Sequence, residues 1–65
     1  MEVPLKTRQM IAYEFGLDYK MLMRRLKAKN IVLSVRFLLT PPEQKMIYEA
    51  IYYPKGVDKA WYEDY

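Results

Sequence analysis

Ile11-Ala12-Tyr13-Glu14-Phe15-Gly16-Leu17-Asp18-Tyr19-Lys20-Met21-Leu22-Met23-Arg24-Arg25-Leu26-Lys27 is the stretch that decides the fold. Each residue type in it meets a steric need of two helices joined by a sharp turn. Small Ala12 lets a second helix cross close to the first. Four residues later, Gly16 can take the left-handed backbone conformation that the turn requires, at no Cβ cost. Leu17, Leu22 and Leu26 then bury against Ile11 and Phe15. A unit of this kind usually places its second helix in the DNA major groove. The sequence therefore predicts a small domain that binds double-stranded DNA.

The charge is unevenly distributed. Net charge is +3, but between Tyr19 and Pro42 stand six cations (Lys20, Arg24, Arg25, Lys27, Lys29 and Arg36) and no acid. The rest of the chain holds the other five cations and all eight acids. The positive field is thus concentrated on the second half of the predicted unit. A charge run is ordinarily a solvated helix face, and its placement on the second helix is what favours a polyanionic partner.

Outward from that unit, the chain reads as an all-α, three-helix helix-turn-helix domain. A short extended connector and an aromatic C-terminal tail complete it. One domain over residues 1–65 is expected, with the helix-turn-helix unit at about 7–30, the third helix at about 41–53 and the tail at 57–65. Thr7 is placed to cap a first helix over 8–15, whose stripe is Ile11, Ala12 and Phe15. Asp18 caps a second helix over 18–29, and Asn30 is a suitable left-handed terminator. Ile31-Val32-Leu33 reads as extended chain, and the form of Val35 to Leu39 stays open. No glycine-containing turn follows, which argues against a β-hairpin.

Thr40-Pro41-Pro42-Glu43 is a capping box, and proline is tolerated in a first helical turn because its missing N–H would be unpaired there. Met46, Ile47, Ala50 and Ile51 are expected on the buried face of the third helix. Gln44, Lys45 and Glu49 are expected in water. Met10 and Met46 read as core filler. Pro54 and Gly56 end the helix.

On a wheel of about 100° per residue, Tyr19, Leu22 and Leu26 of the second helix fall within roughly 60° of one another. Lys20, Arg24 and Lys27 form a similar arc centred roughly 140° away. One face is a core stripe and the other a basic stripe, the arrangement that lets cations meet phosphates and guanine edges. Lys29, near the helix end, suits a phosphate contact.

The Ala12–Gly16–Leu17–Leu22–Leu26 pattern resembles the short helix-turn-helix proteins of bacteria and their mobile elements, including transposase and excisionase-type binding domains. The resemblance covers Thr7 to Asn30. It implies base-reading roles for Asp18, Tyr19 and Lys20, and for Met23, Arg24 and Lys27 further along. With Lys29, the expected DNA-binding residues are Tyr19, Lys20, Met23, Arg24, Lys27 and Lys29. The chain departs from the pattern at Asp18, often Ser or Thr there, and at Arg25, commonly apolar.

Other chemistry is excluded by composition. With no cysteine and no histidine, disulfides, cysteine-histidine zinc sites, thiol nucleophiles and histidine bases are absent. Ser34 is the only serine and has no histidine to activate it. Gly16 and Gly56 are the only glycines, so no phosphate loop exists. No enzyme activity, metal or cofactor is expected. No apolar run approaches a membrane span and no signal-peptide core is seen, so a cytoplasmic location is the default.

The competing class is a protein-interaction module. Six of the ten aromatics, namely Tyr48, Tyr52, Tyr53, Trp61, Tyr62 and Tyr65, lie in the last 18 residues, and Tyr and Trp favour interfaces. RNA binding through stacked tyrosines is a third possibility. A DNA regulator this small is expected to form a homodimer or to join a larger regulatory partner, because one helix reads few base pairs. The aromatic tail is the expected contact, setting two helices about 34 Å apart on a pseudo-palindrome.

Overall fold

The computed structural model describes residues 3–65. Its elements are β1 (Lys6–Thr7), α1 (Arg8–Glu14), α2 (Tyr19–Ala28), β2 (Leu38–Leu39), α3 (Pro41–Ala50) and a closing 3₁₀ turn (Lys59–Tyr62). The three expected helices are present, but the architecture is not purely helical. β1 and β2 pair antiparallel, with Lys6 opposite Leu39 and Thr7 opposite Leu38. The connector thus finds its strand partner some thirty residues upstream rather than in an adjacent hairpin. Local turn signals carry no information about such a pairing.

Local chemistry sets the helix ends. Thr7 is extended and its Oγ1 accepts from the Met10 N–H at 3.1 Å; Asp18 Oδ1 accepts from the Met21 N–H at 2.8 Å. Each satisfies an amide that the first helical turn leaves unpaired. Both helices stop in the same way. Gly16 has φ +71°, its N–H reaches the Tyr13 carbonyl at 3.0 Å, and the Leu17 N–H reaches Ala12 at 2.9 Å. Asn30 has φ +59°, with matching bonds from Asn30 to Lys27 and from Ile31 to Leu26. These are two Schellman closures, one on the expected glycine and one on the expected asparagine. α3 begins at the Thr40 cap as anticipated but ends at Ala50, short of 53. Ile51 leaves helical geometry at φ −108°, ψ −80°, and Pro54 favours extended chain before it.

The core draws on the three helices, β2 and the tail: Ile11 and Ala12 from α1, Leu22 and Leu26 from α2, Leu39 from β2, Ile47 and Tyr48 from α3, and Val57 and Tyr62 from the tail. Phe15, Ile51, Tyr53 and Trp61 pack against it half-buried. Burying a side chain such as Leu22 contributes about 1.5–3 kcal/mol.

Several expectations are corrected. Met10 and Met46 are not core filler, being 50% and 41% exposed. Gln44, expected in water, is fully buried. Its Nε2 donates to the Pro4 and Leu39 carbonyls, both at 2.9 Å, and its Oε1 accepts from Tyr62 Oη at 2.7 Å. A saturated amide of this kind can be interior. The tail, whose order the sequence left open, is docked. A turn closed by Val57 N–H to the Pro54 carbonyl brings the 3₁₀ segment back onto α3. There Tyr48, Tyr53 and Tyr62 cluster with ring centroids 5.3–6.0 Å apart.

A second buried polar group ties β1 to both α1 and α3. Lys6 Nζ donates to Glu14 Oε2 at 2.7 Å and to Tyr48 Oη at 3.2 Å, while the Tyr48 hydroxyl donates to Glu14 Oε1. Burial, followed by the Glu14 carboxylate, pushes the Tyr48 phenol far above its ordinary pKa, so it stays a neutral donor.

Candidate nucleic-acid interface

α2 is held by its inward residues. Leu22 and Leu26 are buried in the core, and Met23 packs half-buried against it. Lys20, Arg24 and Lys27 therefore emerge on the outer side, and all three are exposed. Lys20 to Lys27 spans about 10 Å along the axis, roughly three base-pair steps of a duplex. Among the described residues the one ion pair is Lys6–Glu14, so none of the three cations is held in an ion pair there.

The expected site residues do not all share one surface. Tyr19, on the core stripe by periodicity, is 46% exposed, being the first residue of α2. It joins the accessible face. Met23, expected to read bases, gives much of its surface to the core. Lys29 is the C-cap, and with Arg25 it borders a hollow completed by Ala28, Ala50, Ile51 and Tyr52. By helical rotation that hollow lies to one side of the Lys20–Arg24–Lys27 face, between it and the core stripe. Arg25 is exposed in the last turn, where a cation also suits the helix dipole, which explains why a polar residue is tolerated there. Asp18 spends one carboxylate oxygen on the Met21 amide, so its first role is structural.

Sequence reasoning missed the way the connector is held beside α2. Arg8 donates from Nη1 to the Arg36 carbonyl at 2.7 Å and from Nη2 to the Ser34 carbonyl. From the other side, Glu43 Oε2 accepts from the Ser34 N–H at 3.0 Å. Its Oε1 accepts from the Thr40 N–H and hydroxyl, both at 3.1 Å. The Thr40 amide foremost, then Ser34, holds the Glu43 carboxyl down at about 2. The capping-box glutamate was legible in the sequence; its second function as a clamp on Ser34 was not.

The clamped loop places Phe37 beside Tyr19. Together with Thr7, Arg8 and Gln9 they line an open hollow of about 440 Å³. Val32, Val35 and Phe37 are 85%, 102% and 78% exposed. By contrast, the aromatic tail offers less surface than its composition suggested: Tyr48 and Tyr62 are fully buried, Tyr53 and Trp61 half-buried, and only Tyr52 and Tyr65 of the six are exposed.

Among the described residues no group of three or more acidic side chains is placed to hold a metal ion, and no helix is long and apolar enough to cross a membrane. No protein-family model matches the chain, nor does any curated protein or solved structure.

Proposed function

We propose that the chain is a small helix-turn-helix domain that binds double-stranded DNA sequence-specifically, as a transcriptional or mobile-element regulator, with α2 in the major groove. The observation that carries this reading is the outer face of α2. Lys20, Arg24 and Lys27 stand in one row on a helix fixed from behind by Leu22 and Leu26, with no acid against them among the described residues. The Gly16 closure supports it, because it sets the two helices in the tight relation that such a unit uses. Tyr19 and Lys20 lie at the leading end of α2, where recognition helices reach base edges.

Ten residues of helix are about 15 Å long and read only a few base pairs. The regulator therefore acts as a pair or beside a second DNA-bound protein. Burial of Tyr48 and Tyr62 moves any self-contact away from those side chains and onto exposed ones such as Tyr52 and Tyr65.

Titrating a mixed-sequence duplex at two salt concentrations tests the reading. Contacts from Lys20, Arg24, Lys27 and neighbouring cations to about five phosphates predict a log–log slope of about −4 to −5. Absence of duplex binding at about 50 mM salt refutes the proposal and leaves a protein-interaction module as the better description.

A further inference from the structure

The 32–37 loop combines a fixed backbone with exposed apolar side chains. Its backbone is pinned, with the Ser34 and Arg36 carbonyls held by Arg8 and the Ser34 amide held by Glu43. Yet its large apolar side chains are left in solvent: Val35 is fully exposed and Phe37 is 78% exposed. A surface loop normally gains nothing by displaying apolar groups, and a pinned one cannot fold them away. The flanking charge selects the occupant. Arg36 stands between Val35 and Phe37, and from Tyr19 to Pro42 the chain has six cations and no acid. This favours a polyanion with an apolar interior over a protein groove. Base-paired DNA is such a polyanion, with charged rails around stacked, apolar base faces. Phe37 also shares a hollow with Tyr19, at the start of α2, so a duplex lying along α2 meets the loop.

Building on the DNA-binding reading, we propose that this loop is a wedge. It presses against the minor groove next to the α2 site and inserts Phe37, with Val35 alongside, between base pairs. Arg36 meets the adjacent phosphate rail, and the duplex bends away. Apolar side chains inserted in this way partly unstack one step and kink DNA by roughly 20–90°. The deformation is easiest at pyrimidine–purine steps, so the wedge adds a preference for TA or CA steps at positions where no hydrogen bond reads the bases.

The test uses the full chain and a duplex of about 30 base pairs containing TA and CA steps, labelled at its two ends for energy transfer. At saturating protein, the wild type should shorten the end-to-end distance. The Val35→Ala/Phe37→Ala variant should bind with an unchanged salt slope and leave the duplex straight. Both side chains are exposed, so the far-UV circular dichroism of this variant should match the wild type. Arg36→Ala should lower the salt slope by about one. A wild type that binds without bending, or a double variant that bends DNA equally, overturns the wedge while the α2 reading stands. Failure of the wild type to bind at about 50 mM salt overturns both.

Discussion

Replacing Gln44 with leucine is predicted to destabilise the domain despite adding apolar surface to the core. The amide makes three bonds of 2.7–2.9 Å, to Tyr62 and to the Pro4 and Leu39 carbonyls. Leucine is close to isosteric but removes all three. Tyr62 is fully buried, so its hydroxyl is left without a partner, a cost of about 1–3 kcal/mol. The two carbonyl bonds add about 1 kcal/mol each if their oxygens find no water. Burying a few more apolar atoms returns about 1 kcal/mol. The net loss is therefore about 2–4 kcal/mol, against a total stability of about 3–10 kcal/mol for a domain of this size.

Urea unfolding followed by far-UV circular dichroism measures this directly. The double variant Gln44→Leu/Tyr62→Phe is the sharper test, because it removes the orphaned hydroxyl along with its partner. It should be more stable than Gln44→Leu alone by about 1–2 kcal/mol. If Gln44→Leu is neutral, or if the Tyr62→Phe change adds its own loss on top, the account of Gln44 as a saturated interior bridge between α3, the tail and the N-terminal segment is wrong.

Two other outcomes follow from the same packing. Leu22→Ala truncates a fully buried side chain at the α1–α2 contact and should cost about 2–5 kcal/mol by chemical denaturation; a loss under about 1 kcal/mol would place Leu22 outside the core. Glu43 has a folded pKa of about 2 against an ordinary 4.5, so the unfolded chain takes up its proton first on acidification. Its contribution is complete above about pH 5 and fades as the pH falls toward 2. The stability gap between wild type and Glu43→Gln should therefore shrink over that window, and a gap that stays constant would mean that the carboxylate charge is not what the Thr40 and Ser34 amides stabilise.

The α1–α2 unit was readable because its determinants are local. Gly16, Asn30, Thr7 and Asp18 act within a few residues of themselves, and every one sits where its chemistry predicts. The misreadings involve partners distant in sequence. Gln44 looks like a solvent residue until Tyr62, Pro4 and Leu39 are brought to it from three separate segments. The β1–β2 pairing likewise has no local signature. At the site, helical periodicity identified Lys20, Arg24 and Lys27 as one face, but it could not show that Lys29 flanks the α3 end or that Arg8 and Glu43 fix the neighbouring loop.

Among the described residues the α2 cations form no ion pair, and three of the chain's acids are engaged elsewhere. Glu14 is taken up by Lys6 and Tyr48, Glu43 by Thr40 and Ser34, and Asp18 by the Met21 amide. Each of these carboxylates is spent on a bond that stabilises the fold. Asp18 is the one nearest the proposed DNA, since it precedes Tyr19 and Lys20 at the leading end of α2. Asp18→Ser separates its two effects. Serine caps a helix about as well, so stability should change by less than about 0.5 kcal/mol. At roughly 7 Å from a phosphate in high dielectric, the deleted repulsion is about 0.6 kcal/mol, which raises duplex affinity by about threefold at low salt. That gain should vanish as ionic strength rises past physiological levels and the Debye length shortens. If the substitution instead weakens binding to one sequence and spares others, Asp18 is accepting a hydrogen bond from a cytosine amino group, and its assignment as a cap alone is wrong.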